Sequence, residues 1–284
     1  MRFVKGHGTE NDFVLLSDPS GRLTVDAALV RALCDRRAGI GGDGVIRVVR
    51  TAAVPEVAAL AGEAEWFMDY RNADGSIGEM CGNGVRVFVH YLRETGHANG
   101  TTAAVATRDG VKRVEIRGDG TYSVDIGLPD LRGPSKARIG DIIFDGVELS
   151  TGNPHLACIL GGDSGGGGLN PDLSLEALDL SRPPEVDRSI FPTGTNAEFI
   201  TILGPRHIRM RVHERGVGET RSCGTGACAA TLAVAAAQGQ ATGRWDVDVP
   251  GGRLQVTLDG RTAHLAGPAV LVAEGELRPE WFAR

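Results

Sequence analysis

The sequence is poor in lysine and in aromatic residues, and each shortage narrows the range of functions. Only three lysines occur, and none lies in a Gly/Ser-rich phosphate-binding segment. A pyridoxal phosphate enzyme needs a lysine for its Schiff base, so we expect no such cofactor. Aromatic residues make up 5% of the chain, and the net charge is −6 without a basic block. Nucleic-acid binding is therefore not expected.

Long apolar runs are also missing. The longest is Ala227–Ala237, which is too short for a membrane span and fits a buried helix. The opening residues, MRFVKGHG, lack the apolar region of a signal peptide. We therefore predict a cytoplasmic protein without a membrane partner. With 284 residues, of which 42% are apolar, the chain can form one large domain or two of ordinary size.

Cysteine is scarce, odd in number and scattered, which excludes the framework of a secreted disulfide-rich protein. Cys34, Cys158 and Cys228 fit small buried apolar groups. The chain has no Cys-x-x-Cys pair and no spaced histidine cluster, so no metal site is predicted. Cys81 and Cys223 differ from the other three, because each is followed by Gly-x-Gly at the start of an apolar helical segment.

The hydrophobic pattern predicts many short strands and three helices. The predicted helices are 26–37, 85–92 and 226–238. A hairpin is predicted from residues 1–8 and 13–18, and a flexible surface loop from Gly161–Asn170. The other predicted strands are 45–49, 66–70, 101–107, 111–116, 121–126, 197–203, 207–213, 245–249, 254–258, 264–266 and 270–273.

An internal repeat links the two unusual cysteines. When Met68 is aligned with Met210, Cys81 falls on Cys223, and CGNG falls on CGTG. The same shift of 142 residues places Asn11 on Asn153. In addition, GTENDFV at residues 8–14 is similar to GTNAEFI at residues 194–200, at a different offset. These matches predict two halves of one architecture.

A thiol at a helix N-terminus faces unpaired N–H groups and the positive end of the helix dipole. This placement predicts that the thiol pKa falls from about 8.5 towards neutrality. The glycines that follow leave backbone amides open to an anion. Two such sites related by symmetry favour an enzyme that inverts a carbon, because one thiolate can remove an α-hydrogen while the opposite thiol returns one.

Other interpretations of the residues are weaker. A Cys-His hydrolase could pair a thiol with His155 or His213, but it would have no use for a second Cys-Gly-x-Gly. The segment GIGGDG at 39–44 has dinucleotide-binding spacing. It follows a predicted helix and precedes a predicted strand, which is the reverse of the required order, so we interpret it as a turn.

The motifs closely resemble those of the diaminopimelate epimerase family over essentially the whole chain. They are GHGTENDF, YRNADGS with MCGNGVR, TGNPH, and HERGVGETRSCGTGACA. The resemblance implies that Cys81 and Cys223 are the acid–base thiols. It further implies substrate-binding and activity-tuning residues: Asn11, Asn72, Gly82, Asn83, Asn153, Asn196, Glu214, Arg215, Gly224 and Thr225 bind substrate, while His155 and Glu214 influence the thiols.

The resemblance also implies an α+β fold of two pseudo-symmetric lobes. Each lobe would be a mostly antiparallel sheet rolled around a central helix, with the active site in the cleft between them. The first lobe would span 1–118 and regain about 268–284, and the second would span 119–267. The implied activity is epimerisation of LL-diaminopimelate to the meso form, without a cofactor or metal, in a homodimer.

One departure and one alternative remain. Many family members carry glutamine where this chain has Gly44, so a substrate contact at that position is lost or filled by water. The alternative is another isomerase or an amino-acid racemase of the same fold. Phenazine-type isomerases lack the cysteine pair, and proline racemases act on a substrate without a distal charged end.

Overall fold

The chain divides into two compact units in the computed structural model, which describes residues 1–161 and 174–282. Unit 1 comprises Met1–Val124 and Gly267–Arg284, and unit 2 comprises Asp125–Ala266. The first boundary lies six residues after the position that the sequence suggested, at the end of a strand rather than before it. The glycine-rich loop predicted at 161–170 lies, apart from Gly161, outside the described residues.

Unit 1 is a sheet built around one long helix. Its elements are β1 (Arg2–Gly8), β2 (Asn11–Ser17), α1 (Ala27–Cys34), β3 (Gly44–Arg50), β4 (Trp66–Asn72), α2 (Gly82–Glu94), β5 (Thr102–Thr107), β6 (Gly110–Ile116) and β7 (Tyr122–Asp125). A last strand from the C-terminal segment, Val270–Glu276, pairs antiparallel with β1. The sheet contacts α2 from nearly every strand, and α2 is buried on all sides. Its buried residues are mostly apolar but include the polar Asn83 and Arg86.

Unit 2 repeats this plan. Its elements are β8 (Asp130–Ile139), β9 (Ile142–Ser150), β10 (Pro154–Leu160), β11 (Glu185–Val186), β12 (Asn196–Gly204), β13 (His207–Glu214), β14 (Gly218–Thr220), α3 (Gly224–Ala237), β15 (Gly243–Val249), β16 (Gly252–Leu258) and β17 (Ala263–Gly267). The C-terminal strand of unit 1 is thus β18. Helix α3 is rich in alanine, and most of its residues are buried. Small side chains allow the surrounding strands to approach the helix closely.

The order of strand pairing is the same in the two units. In unit 1 it runs β18-β1-β2-β3-β4-β5-β6-β7, and in unit 2 it runs β8-β9-β10-β12-β13-β15-β16-β17. In both series the seven successive pairs of neighbouring strands run in the same directions: antiparallel, antiparallel, parallel, antiparallel, parallel, antiparallel and antiparallel. The predicted repeat and the predicted α+β class are therefore confirmed.

The strand order also shows which sequence likeness follows the repeat. The offset of 142 residues relates β2 to β10, β4 to β13 and α2 to α3. The likeness between residues 8–14 and 194–200 instead compares β2 with β12, which stand at different places in their sheets. That second likeness does not correspond to the structural repeat.

Most predicted elements form close to their expected bounds, but five strands were not predicted. Asp26 caps α1 by accepting a hydrogen bond from the Leu29 N–H at 2.8 Å, as a helix start requires. The unpredicted strands are β8, β9, β10, β11 and β14. In β8 the pattern is interrupted by Gly133 and Pro134, where the pairing register shifts, so a simple alternation of apolar and polar residues is lost.

Candidate active site

Cys81 caps α2 in unit 1, and its sulfur faces the first helical turn. Its backbone is extended, and its Sγ accepts a hydrogen bond from the Gly84 N–H at 3.4 Å. Gly82 and Asn83 are the first two residues of the helix, and both are buried. The N–H groups of these positions have no acceptor within an α-helix, so the turn is suited to bind an anion.

Two predicted asparagines join Cys81 in one contact group. The Cys81 Sγ lies 3.7 Å from Asn11 Oδ1, and the Asn83 side chain donates to the same oxygen at 3.2 Å. The buried guanidinium of Arg86 donates to Asn83 Oδ1 and, at 3.0 Å, to the Pro268 carbonyl. The C-terminal segment of unit 1, which contains Pro268, thus helps to hold Asn83 near the Cys81 thiol.

Asp12 and Asp43 form an acidic cluster, and Asp43 orients the Asn11 side chain. Asp43 Oδ2 accepts from Asn11 Nδ2 at 2.8 Å and from the Asp12 N–H at 3.2 Å. Burial raises the pKa of Asp43, and the Asp12 charge raises it further. Burial also acts to raise the pKa of Asp12, but hydrogen bonds and charges from Arg36 and Lys5 outweigh it, so that pKa is strongly lowered. Residue 43 lies in the segment interpreted only as a turn, so its supporting role was missed.

Asn72 lies at the end of β4 and is held by neighbours within its own hairpin. The Tyr70 hydroxyl donates to Asn72 Oδ1 at 2.7 Å, and Asn72 Nδ2 donates to Ser76 Oγ at 2.9 Å. The Tyr70 ring also occupies the space beside Gly44, where an added Cβ would lie 2.7 Å from Cε2 of that ring. A larger side chain at position 44 would thus meet the Tyr70 ring and the Arg71 carbonyl.

Cys223 caps α3 in unit 2 with the same geometry as Cys81. Its Sγ accepts from the Gly226 N–H at 3.4 Å and lies 3.5 Å from Thr225 Oγ1. Burial raises the pKa of Cys223 well above its usual value, and the charges of Glu214 and Glu198 raise it further. The two hydrogen bonds lower it by less. The sequence-based expectation of a lowered pKa is therefore wrong for this thiol.

His155 and Glu198 form a buried pair behind the Cys223 turn. Neither side chain has any exposed surface, and His155 Nδ1 lies 2.7 Å from Glu198 Oε1. His155 Nε2 lies 3.0 Å from Thr151 Oγ1 and 3.2 Å from Asn153 Oδ1. The predicted residues His155 and Asn153 are thus in contact. Glu198 was not predicted, although a glutamate within the apolar strand NAEFI was a visible signal.

The remaining predicted residues of unit 2 gather at the adjacent ends of β12 and β13. Asn196 Oδ1 accepts from the Arg215 N–H at 2.9 Å, and the Arg215 guanidinium donates to Thr193 Oγ1 at 3.0 Å. The Thr220 hydroxyl donates to Glu214 Oε1. Gly224 and Thr225 are the first two residues of α3, as Gly82 and Asn83 are of α2. The two sets therefore share their backbone positions but differ in side chains.

The other three cysteines behave as buried apolar groups. Cys34, Cys158 and Cys228 are each at most 6% exposed. Burial raises the pKa of Cys34 to about 11, which leaves it a thiol at neutral pH. In residues 1–161 and 174–282, no group of three or more His, Cys, Asp or Glu side chains is arranged to hold a metal ion. No helix in the same part of the chain is long and apolar enough to cross a membrane.

Comparison with solved structures places the fold among known two-lobed proteins. A phenazine biosynthesis protein of the PhzF family from Bacillus anthracis is similar, with a TM-score of 0.68 at 16% identity, covering 98% of this chain and 99% of that one. A hydroxyproline epimerase from Agrobacterium vitis gives a TM-score of 0.65 at 13% identity, covering 97% and 91%. Likeness at these identities supports the fold.

Comparison of sequences is more specific. The family model described as "Diaminopimelate epimerase" matches residues 3–131 and 148–276. The diaminopimelate epimerase of Thermobifida fusca is 51% identical over 282 residues, covering 98% of each chain. That of Streptomyces coelicolor is 50% identical over 290 residues, covering 99% of this chain and 96% of the other. The chain therefore belongs to the diaminopimelate epimerase family of isomerases.

Proposed function

We propose that this protein interconverts LL- and meso-diaminopimelate, a step that supplies lysine and peptidoglycan precursors, with Cys81 and Cys223 as its two acid–base groups. The observation that carries the proposal is the duplicated turn. In each unit a cysteine caps the central helix, and the N–H of the third helical residue donates to its sulfur at 3.4 Å. Membership of the family, and the names of relatives about half identical in sequence, support the substrate.

The reaction needs one base and one acid on opposite faces of the α-carbon. One thiolate takes the α-hydrogen as a proton, and the C–H electron pair remains on the carbon. The other thiol gives its proton to the opposite face, and the S–H electron pair remains on sulfur. Nothing is oxidised or reduced, and the proposal includes no cofactor. The two cysteines exchange protonation states in each turnover.

The α-carboxylate of the substrate is assigned to the helix N-termini. An α-hydrogen beside a carboxylate is weakly acidic, so negative charge that develops in the transition state must be stabilised. Backbone N–H groups of Gly82 and Asn83, and of Gly224 and Thr225, lie in the first turns of α2 and α3. Fixed donors and helix dipoles supply such stabilisation without reorganisation during the reaction.

The distal end of the substrate is assigned to the polar groups at the ends of β4, β10, β12 and β13. Arg215 would bind the distal carboxylate, and Glu214 would bind the distal ammonium. Asn72, Asn153 and Asn196 would complete the hydrogen bonds. The contact of Asn196 with the Arg215 backbone at 2.9 Å supports this grouping, because it fixes the loop that carries the guanidinium. Asn11 would act beside Cys81, and the 3.7 Å contact between Asn11 Oδ1 and the Cys81 sulfur supports this role.

The proposal extends to a cytoplasmic homodimer that acts on a small molecule. The family resemblance suggests the dimer. Size-exclusion chromatography with light scattering measures the oligomeric state directly. A monomer that retains full activity would remove the dimer from the proposal without affecting the reaction.

The test is α-hydrogen exchange. Purified protein is incubated with LL-diaminopimelate in D₂O, and deuterium at the α-carbon is followed together with the stereochemistry of the product. Epimerisation with uptake of solvent deuterium is expected. Cys81→Ala and Cys223→Ala should each abolish epimerisation, because inversion by two bases cannot proceed with one.

Cys228→Ala is the matched control, since this buried cysteine lies in α3 but does not cap it. It should retain activity. Near wild-type epimerisation by either Cys81→Ala or Cys223→Ala would overturn the two-base mechanism. Exchange with proline or hydroxyproline but not with diaminopimelate would instead assign the protein to another racemase reaction on this fold.

A further inference from the structure

Ile46 and Glu198 occupy equivalent positions in the two units. Strand pairing sets Ile46 opposite Tyr70 in unit 1 and Glu198 opposite Val212 in unit 2. Tyr70 and Val212 are related by the same shift that relates Met68 to Met210 and Cys81 to Cys223. The repeat therefore places an alkyl side chain in one unit where it places a carboxylate in the other.

The first turns of α2 and α3, Cys81–Gly84 and Cys223–Gly226, support this equivalence independently; we call them the cysteine turns. A Cβ atom added to Gly84 would meet Ile46 Cδ1 first, at 3.3 Å, and then the Cys81 side chain. A Cβ atom added to Gly226 would meet Glu198 Oε1 first, at 2.7 Å, and then Cys223 Sγ at 3.2 Å. The carboxylate of Glu198 thus lies directly behind the turn that holds the Cys223 sulfur.

A second pair of equivalent residues, Phe13 and His155, differs between the units in the same way, because one is apolar and the other is polar. The register pairs Phe13 with Gly44 in unit 1 and His155 with Asn196 in unit 2, so Phe13 and His155 are equivalent. Phe13 is fully buried and packs edge-on against the ring of Tyr70. The cysteine turn of unit 1 is therefore backed by Ile46 and Phe13, and that of unit 2 by Glu198 and His155.

The contacts of His155 orient the carboxylate of Glu198. His155 Nε2 lies 3.0 Å from Thr151 Oγ1 and 3.2 Å from Asn153 Oδ1, and Thr151 Oγ1 donates to Asn153 Oδ1 at 2.8 Å. His155 Nδ1 lies 2.7 Å from Glu198 Oε1. The histidine thus engages Oε1, the carboxylate oxygen that lies closest to Gly226.

Only one oxygen of the Glu198 carboxylate has a hydrogen-bond partner among the described residues. Glu198 Oε2 is buried and has no hydrogen-bond partner among the described residues. Negative charge on this group is therefore felt by its neighbours, because the surrounding protein screens it weakly. The direction of the effect on Cys223 agrees, since the Glu198 charge contributes to raising the pKa of that thiol.

The surroundings of the turn contain few other titratable groups. Those that face it are Glu198 from β12, His155 and Cys158 from β10, and Glu214 from β13. Helix α3 also packs on β9, β15 and β16, and the buried side chains of those strands are apolar. Glu198 is the fully buried acid of this set, whereas Glu214 is partly exposed.

We propose that Glu198 is a positioning residue that, held by His155, keeps Cys223 as the protonated thiol of the substrate-free enzyme. The proposal rests on the two-base function proposed above. It gives the two pseudo-symmetric cysteines different resting roles: Cys223 starts as the acid, and Cys81 starts as the base. In the first turnover the Cys223 S–H bond breaks, its proton passes to carbon, and its electron pair stays on sulfur.

The test is a pH titration of thiolate ultraviolet absorbance, without substrate. Cys81→Ala isolates Cys223, and the Cys81→Ala/Cys223→Ala double variant gives the background of the buried thiols. Adding Glu198→Gln to Cys81→Ala removes the carboxylate charge, keeps the volume and still allows a hydrogen bond to His155. The Cys223 thiolate should then form at a pH lower by about 1–3 units, the usual effect of removing a close like charge.

Ile46→Gln in the Cys223→Ala background is the matched control, because it changes the equivalent position by a neutral group. It should shift the Cys81 titration by less than Glu198→Gln shifts that of Cys223. If Glu198→Gln does not fold, Glu198→Ile/His155→Phe recreates the pair found in unit 1 and should give the same downward shift. An unchanged or upward shift of the Cys223 titration would overturn the proposal.

The titration separates this proposal from the proposed function. It needs no substrate, so a protein that failed to epimerise diaminopimelate would still report the effect of Glu198. Conversely, active protein whose Cys223 titration ignores Glu198→Gln would retain its function and lose this assignment. In active protein, Glu198→Gln should also move the pH profile of exchange, whereas a loss of structure alone would lower the rate at every pH.

Discussion

Gly84 and Gly226 stand at the same place in the two cysteine turns but face neighbours of opposite character. The nearest atom to a Cβ on Gly84 is Ile46 Cδ1 at 3.3 Å, and the nearest to a Cβ on Gly226 is Glu198 Oε1 at 2.7 Å. The methyl group of Ile46 can shift by a few tenths of an ångström. The carboxylate of Glu198 cannot shift as easily, because His155 holds it.

Alanine substitutions at these two glycines should therefore differ. Gly226→Ala should destabilise the protein by about 1–3 kcal/mol, the range for overpacking a filled site. Gly84→Ala should cost less, since alanine is favoured over glycine within helices by about 0.5–1 kcal/mol. Urea unfolding of the two variants measures the difference. Equal stabilities would show that Glu198 is not fixed behind the turn.

Asp12 should make stability depend on pH in acid. Its pKa in the folded protein is lowered from the usual 3.8, so it stabilises the folded state fully above that unfolded-state pKa. This contribution is lost as the pH falls towards the folded-state pKa. Asp12→Asn should cost about 1.5–3 kcal/mol at pH 7, the range for hydrogen bonds to charged groups, and progressively less as the pH falls below 3.8 towards the strongly lowered folded-state pKa.

Asp119→Asn is the control for that experiment. The Asp119 carboxylate is exposed and accepts only from Thr121 in its own turn, so its removal should change stability little at either pH. Asp43 has a raised pKa, partly because of the Asp12 charge, so Asp12→Asn also relieves Asp43. A stability loss by Asp12→Asn that is independent of pH would assign Asp12 a packing role rather than a charged one.

Tyr70→Phe should weaken substrate binding without lowering the stability of the folded protein. The hydroxyl donates to Asn72 Oδ1 at 2.7 Å, and its loss leaves the proposed substrate ligand less well oriented. A lost hydrogen bond of about 0.5–1.5 kcal/mol corresponds to a rise in KM of about 2- to 10-fold. Tyr122→Phe, which removes a hydroxyl bonded to His90, should leave KM unchanged. Equal effects of the two variants would contradict the role of Tyr70.

Arg215→Lys should lower the activity with diaminopimelate strongly, because a guanidinium fork is not replaced by a single ammonium. Selection against lysine and glutamate should be strong in the wild type, by up to ~10⁴–10⁵-fold, since each leaves polar groups of the distal site unpaired. Arg253→Lys, in an exposed pair with Asp248, is the matched control and should keep normal activity. Comparable α-hydrogen exchange of lysine and diaminopimelate would require the substrate to be reassigned.

The sequence by itself determined the local features of the site. A capping cysteine and a glycine three residues later are neighbours along the chain, and the backbone geometry of a helix start brings the Gly84 N–H to the Cys81 sulfur. The same holds for Cys223 and Gly226. The sequence therefore predicted the spacing of each cysteine and glycine, the repetition of this motif, and the presence of two similar halves.

Only the tertiary structure decided what stands behind each thiol. Ile46 and Glu198 reach the two turns through strand register and through the face of the sheet that each presents, which depend on pairings between distant segments. The sequence therefore predicted two equal thiols of lowered pKa. Burial and a fixed carboxylate reverse that direction at Cys223, because desolvation disfavours a thiolate more than one helix turn can stabilise it.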